Sequence, residues 1–252
     1  MLQYELSYIK QHYRALFEEA QAEIEAAFTG LRDEFHCPEC QSKGIAPQTP
    51  LEVLPHPGCP YQHWQKACLD YLEGAYGRNL LSNIGEMNRA RDAVSCHQCG
   101  VCCRFASSEF SYEQLQEKAQ QGDAFARQFT SVFLPYTDTH AARLRFPELV
   151  DDILKEVRLQ QAGAKDENNP ADTSPVYFYH CPYIGEDNQC TIYGSPKRPD
   201  ICQSYPDTPL TFIYQRCAWK PWKDEYHQQA MKTHGAIELA LYYAAGLKKV
   251  LA

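Results

Sequence analysis

The sequence predicts an α+β protein, mainly helical, with a small antiparallel sheet and irregular Cys-rich metal-binding loops gathered between the elements. Three observations carry this. Apolar residues recur at steps of three and four along several long stretches, β-branched and aromatic residues form three short runs, and twelve cysteines lie in or beside the connections. With 252 residues, 44% of them hydrophobic, the chain can bury an ordinary core.

Residues 1–35 are expected to form one amphipathic helix, with Leu16, Phe17, Ala20, Ile24, Phe28 and Leu31 on its apolar face. Glu18, Glu19, Glu23 and Glu25 make its other side acidic, which reads as a solvated face. His36-Cys37-Pro38-Glu39-Cys40 follows, then a connection punctuated by Pro47, Pro50, Pro55, Pro57 and Gly58 that excludes a long helix, ending at Cys59-Pro60-Tyr61 and Cys68. Residues 69–94 are helical in pattern, with Leu72, Tyr76, Leu80 and Met87 on one side, although Gly74, Gly77 and Gly85 weaken it.

Beyond the central cysteine run, Ser111-Tyr112-Glu113-Gln114 is a capping-box signature that opens a helix to about residue 129. Residues 134–140 read as loop. Pro147 suits the first turn of another helix, with Leu149, Val150, Ile153, Leu154, Val157 and Leu159 as its apolar face. Residues 160–175 are polar and without period, hence an exposed loop. Residues 176–180, 191–193 and 210–214 are the expected strands, and a C-terminal helix runs from about residue 223 to 251. Two regions follow: a helical segment over 1–90 with its own cysteine set, and a metal-chelating domain over 91–252 that includes the C-terminal helix.

A formal net charge of −8 argues against a nucleic-acid partner, which would select a basic face. No run of 18 apolar residues exists to span a membrane, and the first residues have neither the basic nor the apolar region of a secretory signal, so a cytoplasmic address is expected. In that compartment thiols stay reduced, which turns the cysteines from disulfide candidates into metal-ligand candidates.

The central run is Cys96-His97-Gln98-Cys99-Gly100-Val101-Cys102-Cys103, with Cys181, Cys190, Cys202 and Cys217 downstream. Thiolates are soft ligands for zinc, copper(I) or iron–sulfur clusters, and a Cys-x-x-Cys step lets two sulfurs converge on one centre. Three cysteines at this repeat, with a distant Cys181-Pro182, match the opening of the bacterial four-iron ferredoxin pattern. Cys102 and Cys103 are adjacent, and neighbouring side chains normally diverge, so the two are expected to serve different centres, or one of them is a buried structural thiol. Arg89, Arg91 and Arg104 bracket the run, either as ordinary surface arginines or to offset thiolate charge.

Upstream, Cys37, Cys40, Cys59 and Cys68 suffice for one tetrahedral zinc or one four-iron cluster, with His36, His56 and His63 as substitute ligands; buried free thiols are the alternative. Cys59-Pro-Tyr-x6-Cys68 and Cys181-Pro-Tyr-x6-Cys190 share spacing, which suggests two similar loops. Trp219 and Trp222 are expected to roof the downstream site and exclude water.

The run Cys96-x-x-Cys99-x-x-Cys102-Cys103, then Cys181-Pro-Tyr-Ile, Cys190-Thr-Ile-Tyr and Arg198-Pro-x-x-Cys202-x-x-Tyr205-Pro206, resembles the YkgJ-like cysteine-cluster family of zinc- or iron-chelating domains. The resemblance covers about residues 90–220. It implies that Cys96, Cys99, Cys102, Cys103, Cys181, Cys190 and Cys202 are metal ligands, and it implies no particular reaction. Cys217 and the first ninety residues lie outside those motifs.

The reading that follows is an iron–sulfur protein with one to three 4Fe-4S clusters, acting in electron transfer or redox sensing with a protein partner. The acidic first helix or the C-terminal helix would offer that partner a docking face. A zinc-binding interaction module without catalysis is the alternative, because zinc uses the same thiolates. Enzyme activity stays open: the chain has no Gly-x-Ser-x-Gly, Walker loop, His-Glu-x-x-His or dinucleotide-binding glycines.

Overall fold

Helices form where the three-and-four spacing runs on, and stop where glycine, proline or a side-chain cap intervenes. A computed structural model describes residues 14–54, 56, 58–163, 175–211 and 213–251, with the backbone alone for 156–163. The first part contains α1 (Arg14–Arg32), α2 (Pro38–Ser42), α3 (Tyr61–Tyr71), a π-helical turn (Leu72–Tyr76) and α4 (Gly77–Asp92). Then come α5 (Val101–Arg104), β1 (Ala106–Ser108), α6 (Tyr112–Gln120), α7 (Ala124–Thr130), β2 (Leu134–Pro135), α8 (Thr139–Arg145) and α9 (Pro147–Gly163). The order ends with β3 (Tyr177–His180), α10 (Asp200–Gln203) and α11 (Lys220–Leu251). The chain is thus mainly helical with a three-stranded antiparallel sheet. No helix among the described residues is long and apolar enough to cross a membrane.

The chain forms two compact units, Ala90–Glu225 and, within the described residues, 14–89 with 226–251. In the second unit α1 buries Phe17, Ala20, Ile24 and Phe28, a stripe at helical spacing. Trp64 on α3 is buried and donates its indole N–H to the Phe28 carbonyl at 2.8 Å, which ties α3 to α1. Buried Gln65 donates to the carbonyls of Pro50 and Glu52 at 3.0 and 2.8 Å, so it holds the proline-rich connection in place. The acidic face of α1 is partly neutralised within its own unit: Lys232 reaches Glu19 and Glu23 at 2.8 and 2.7 Å, and the Tyr243 hydroxyl donates to Glu25 at 3.1 Å.

In the other unit the sheet order is β1-β3-β2, with Ala106 opposite Tyr179, Ser107 opposite Phe178, and Leu134 opposite His180. Successive side chains of a strand point to opposite faces, and β3 uses this to serve two cores. Phe178 packs with Phe105, Ala142, Val150, Ile153 and Tyr214, whereas Tyr179 packs with Leu115, Ala126, Phe129, Val132, Phe133 and Cys181.

Several expectations need correction. Residues 191–193 are a turn, closed by Tyr193 N–H to the Cys190 carbonyl at 3.1 Å, rather than a strand. Leu210, Thr211, Ile213 and Tyr214 lie outside any strand. Thr208 takes the Leu210 N–H on its hydroxyl, and Thr211 bonds Asp207, so side chains supply the local partners a ladder would have supplied. The true partners of β3 are β1 and β2, and β2 falls in the stretch read as loop. That stretch also holds Thr139, where α8 begins behind the Asp138 cap. The helix expected over 111–129 is two: Gly122, at φ 98°, breaks it, and the Asp123 side chain accepts from the Ala126 N–H to cap α7. The helix expected over 69–94 starts at Tyr61, and the C-terminal helix at Lys220. Residues 1–13 of the first expected helix, 164–174 of the expected loop and position 212 lie outside the described residues, as do the side chains of Val157 and Leu159.

Candidate metal centres

The upstream centre is assembled by a cap, a turn and a helix start. Cys37 is the N-cap of α2, with Pro38 in the first helical position, and its sulfur accepts from the Cys40 N–H at 3.5 Å. Cys40 sits one turn later, fully buried. The chain then reverses through Gly44, at φ 66°, with the Ile45 N–H returning to the Cys40 carbonyl at 2.8 Å. Cys59 follows Gly58 (φ 74°) and precedes Pro60, which opens α3. The ligand atoms of Cys37, Cys40, His56 and Cys59 all lie within 4.8 Å of one another. Individual separations are 3.6 Å from Cys40 Sγ to Cys59 Sγ, 3.5 Å from Cys37 Sγ to His56 Nε2 and 3.8 Å from Cys40 Sγ to His56 Nε2.

Electrostatics separate these thiols. The Cys40 N–H on its sulfur lowers the Cys37 pKa to about 7, with the other sulfurs and His56 acting in the same sense. Burial raises Cys40 to about 12, and the neighbouring Cys37 and Cys59 add to the rise. Glu39 stands 3.6 Å from His56 Nε2 and 2.7 Å from Lys43.

Cys68 is not in this group. The helix that Pro60 starts carries it inside α3, where it is fully buried and burial alone raises its thiol to about 12. The Cys-Pro-Tyr echo is correspondingly not structural: after Cys59 the chain is helical, whereas after Cys181 it forms a hairpin-like turn closed by the Ile184–Cys190 bridge.

Around the downstream cysteines the local backbone is shaped by positive φ. Gln98, at φ 53°, turns its N–H to the Cys96 sulfur at 3.3 Å, and Gly100, at φ 74°, is the N-cap of α5, which carries Cys102 and Cys103. A Cβ at Gly100 would meet Asn188 at 3.0 Å and Ile184 at 3.2 Å. Gly100→Ala is therefore expected to destabilise the unit by about 1–3 kcal/mol, visible as an earlier midpoint in thermal unfolding. An unchanged midpoint would mean that the turn relaxes freely.

Four of the eight downstream cysteines rest on one of two cores. Cys102 packs on the core of Phe105 and Tyr214, whereas Cys103 and Cys202 pack on the core that contains Cys181. The Cys181 N–H bonds the Cys103 carbonyl at 2.6 Å. Cys202 lies among Cys103, Cys181 and Cys190, which add to the burial that raises its thiol to about 12, and burial with Cys103 and Cys190 raises Cys181 to about 11. Cys217 has Cys99 and Cys96 as its sulfur neighbours, and burial raises it. Cys96 is raised by burial, with Cys99 first among its sulfur neighbours and Cys103 second.

The two adjacent cysteines rest on different cores. Cys102 and Cys103 act on one another: Cys102, with the guanidiniums of Arg198 and Arg104 assisting, holds the Cys103 thiol down at about 7, and Cys103 together with burial holds Cys102 well above the usual thiol range. Arg104 also donates to Asn188 Oδ1 at 2.8 Å and to the Gly185 carbonyl at 2.5 Å, which fastens the 181–190 turn to α5. Arg198 stacks over the Tyr193 ring at 4.5 Å and bonds the Cys202 carbonyl. Arg91 is engaged with Asp92 at 2.9 Å, and its carbonyl accepts the Trp219 indole N–H at 3.2 Å. Trp219 also meets the Tyr205 ring edge-on, 6.5 Å between centroids, and Trp222 is buried.

Tyr205 and Tyr214 are two site residues that the sequence does not single out. Burial raises both hydroxyls well above their usual range, and Cys102 is first among the neighbours that add to the rise in each case. The signal for Tyr205 is its place in Arg198-Pro-x-x-Cys202-x-x-Tyr205-Pro206. Tyr214 is hidden in an aromatic run with the composition of a strand.

A fold of helices and a short sheet whose loops bring three cysteines and a histidine within 4.8 Å of one another defines a cysteine-cluster metal-chelating protein. Residues 95–230, more than half of the chain, match the CxxCxxCC family, described as a "Putative zinc- or iron-chelating domain", and the chain belongs to that family. No curated protein and no solved structure matches it. The Cys37, Cys40, His56 and Cys59 group lies outside the matched residues.

Proposed function

We propose that the family domain holds two four-iron clusters and serves electron transfer or redox sensing with a protein partner, one cluster on Cys96, Cys99, Cys102 and Cys217 and the other on Cys103, Cys181, Cys190 and Cys202. The observation that supports this reading is that Cys102 rests on the Phe105 core while Cys103, Cys181 and Cys202 rest on the Tyr179 core, with Cys99 and Cys96 acting on Cys217 and Cys190 acting on Cys202. Four thiolates are the complement of one such cluster, which when bound supplies one-electron redox chemistry. The protein's part is electrostatic and steric. Arg198 and Arg104 place positive charge beside the second set, which favours thiolate over thiol. Half-buried Tyr205 and buried Tyr214 lie beside Cys102 of the first set and limit its exposure to water, and solvent exposure is one lever on cluster potential.

The test is anaerobic purification followed by iron, sulfide and zinc analysis and an absorption spectrum before and after dithionite. About eight iron and eight sulfide per chain, with visible absorption that bleaches on reduction, is the expected result. A colourless chain whose downstream cysteines hold only zinc would overturn the reading and leave an interaction module.

A further inference from the structure

We propose that Cys37, Cys40, His56 and Cys59 form a separate, single-ion zinc site outside the family domain, whose work is to hold the connection between α1 and α3. Distances distinguish one ion from a cluster. Zinc bonds of about 2.3 Å to sulfur and about 2.0–2.1 Å to nitrogen give tetrahedron edges of about 3.8 Å between sulfurs and about 3.6 Å from sulfur to nitrogen. The observed edges are 3.6 Å for Cys40–Cys59, 3.5 Å for Cys37–His56 and 3.8 Å for Cys40–His56, each within about 0.2 Å of the ideal. A four-iron cluster interposes iron and sulfide between its ligand thiolates and cannot be built on edges this short. The ligand set agrees: three soft thiolates and one imidazole in a tetrahedron are a zinc set, and with all four positions filled by protein the site is a structural one.

The surroundings are organised for such an ion. The three sulfurs are buried, Ile45, Leu54 and Tyr61 pack over them, and the Cys40 N–H already points at the Cys37 sulfur. His56 comes from the stretch between α2 and α3, so an ion bound there joins the α2 turn, that stretch and the start of α3. Apart from it, residues 33–60 contain only the short α2 as regular structure among the described positions. Metal binding then becomes folding energy for this segment. This site stands apart from the two clusters, because it uses other cysteines, another metal and the other unit.

The experiment is zinc analysis and zinc K-edge X-ray absorption on the full chain, purified anaerobically, with iron and sulfide measured on the same samples. The wild type is expected to carry about one zinc per chain with three sulfurs at about 2.3 Å and one nitrogen at about 2.0 Å. Cys59→Ala is expected to lose that zinc and keep its iron and sulfide. His56→Cys, which preserves a closed tetrahedron if the alanine variant fails to fold, is expected to retain zinc with four sulfurs. A wild type without zinc overturns the proposal, as does wild-type zinc bound by four sulfurs alone or a Cys59→Ala chain that keeps the three-sulfur, one-nitrogen signature. Loss of iron with this signature intact counts against the cluster reading alone.

Discussion

Cys102→Ala and Cys103→Ala are expected to remove different halves of the iron. Each variant should fall from about eight to about four iron per chain, with sulfide falling in step. The companions are set by neighbours: Cys217→Ala should reproduce the Cys102 variant, because Cys217 lies beside Cys99 and Cys96. Cys181→Ala should reproduce the Cys103 variant, because Cys181 lies beside Cys103 and Cys190. The two classes should then differ in their reduced paramagnetic resonance spectra, each showing the cluster the other lacks. Complete loss of iron from both single variants, or identical residual spectra, would sink the division into two centres. The adjacency of Cys102 and Cys103 in the chain makes the test sharp, since the sites of substitution are neighbours while the predicted losses are not shared.

Much of this arrangement can be read from spacing, and the failures share a physical cause. Periodicity locates α1, α4, α9 and α11 because a buried helical stripe writes its period into the sequence, as Phe17, Ala20, Ile24 and Phe28 do. β3 is legible because it is the central strand, with Phe178 and Tyr179 each buried in a core. β1, with the sequence Ala-Ser-Ser, has no such mark: it is a strand only because β3 lies beside it, and that is a tertiary fact. The runs at 191–193 and 210–214 have strand composition but local alternatives, the Cys190 turn and the Thr208 and Asp207 side chains.

The candidate sites show the same boundary. Cys-x-x-Cys steps bring sulfurs together over one turn, so Cys37 and Cys40 stand side by side, whereas the step from Cys59 to Cys68 is helix from Tyr61 onward, which the count alone does not reveal. His56, one of three substitute histidines by sequence, is selected only by the fold. The family resemblance at about 90–220 and the match over 95–230 cover the downstream set and leave the upstream one to geometry.

Phe105→Ala is expected to cost about 3–5 kcal/mol, the range for emptying a buried aromatic site. Phe105 is 1% exposed; its ring stacks on Phe178 at 5.0 Å and meets Phe146 at 5.6 Å and Tyr214 at 6.4 Å. Its backbone is equally committed, with its carbonyl accepting the Tyr214 hydroxyl at 2.6 Å and its N–H closing α5 onto Val101. Domains of this size are stable by about 5–15 kcal/mol, so the loss is a large fraction of the total and should lower the unfolding midpoint by about 10 °C. Tyr214→Phe keeps the ring and deletes only the hydrogen bond, so its cost should be about 1–3 kcal/mol. If the two variants unfold together, the aromatic stack is not what holds this core. The effect on the metal should be lopsided. Cys102 rests on the Phe105 core and Cys103 on the Tyr179 core. Heating Phe105→Ala should therefore release the iron that Cys102→Ala lacks before the iron that Cys103→Ala lacks, and simultaneous release would show that the two cores do not support the two sets separately.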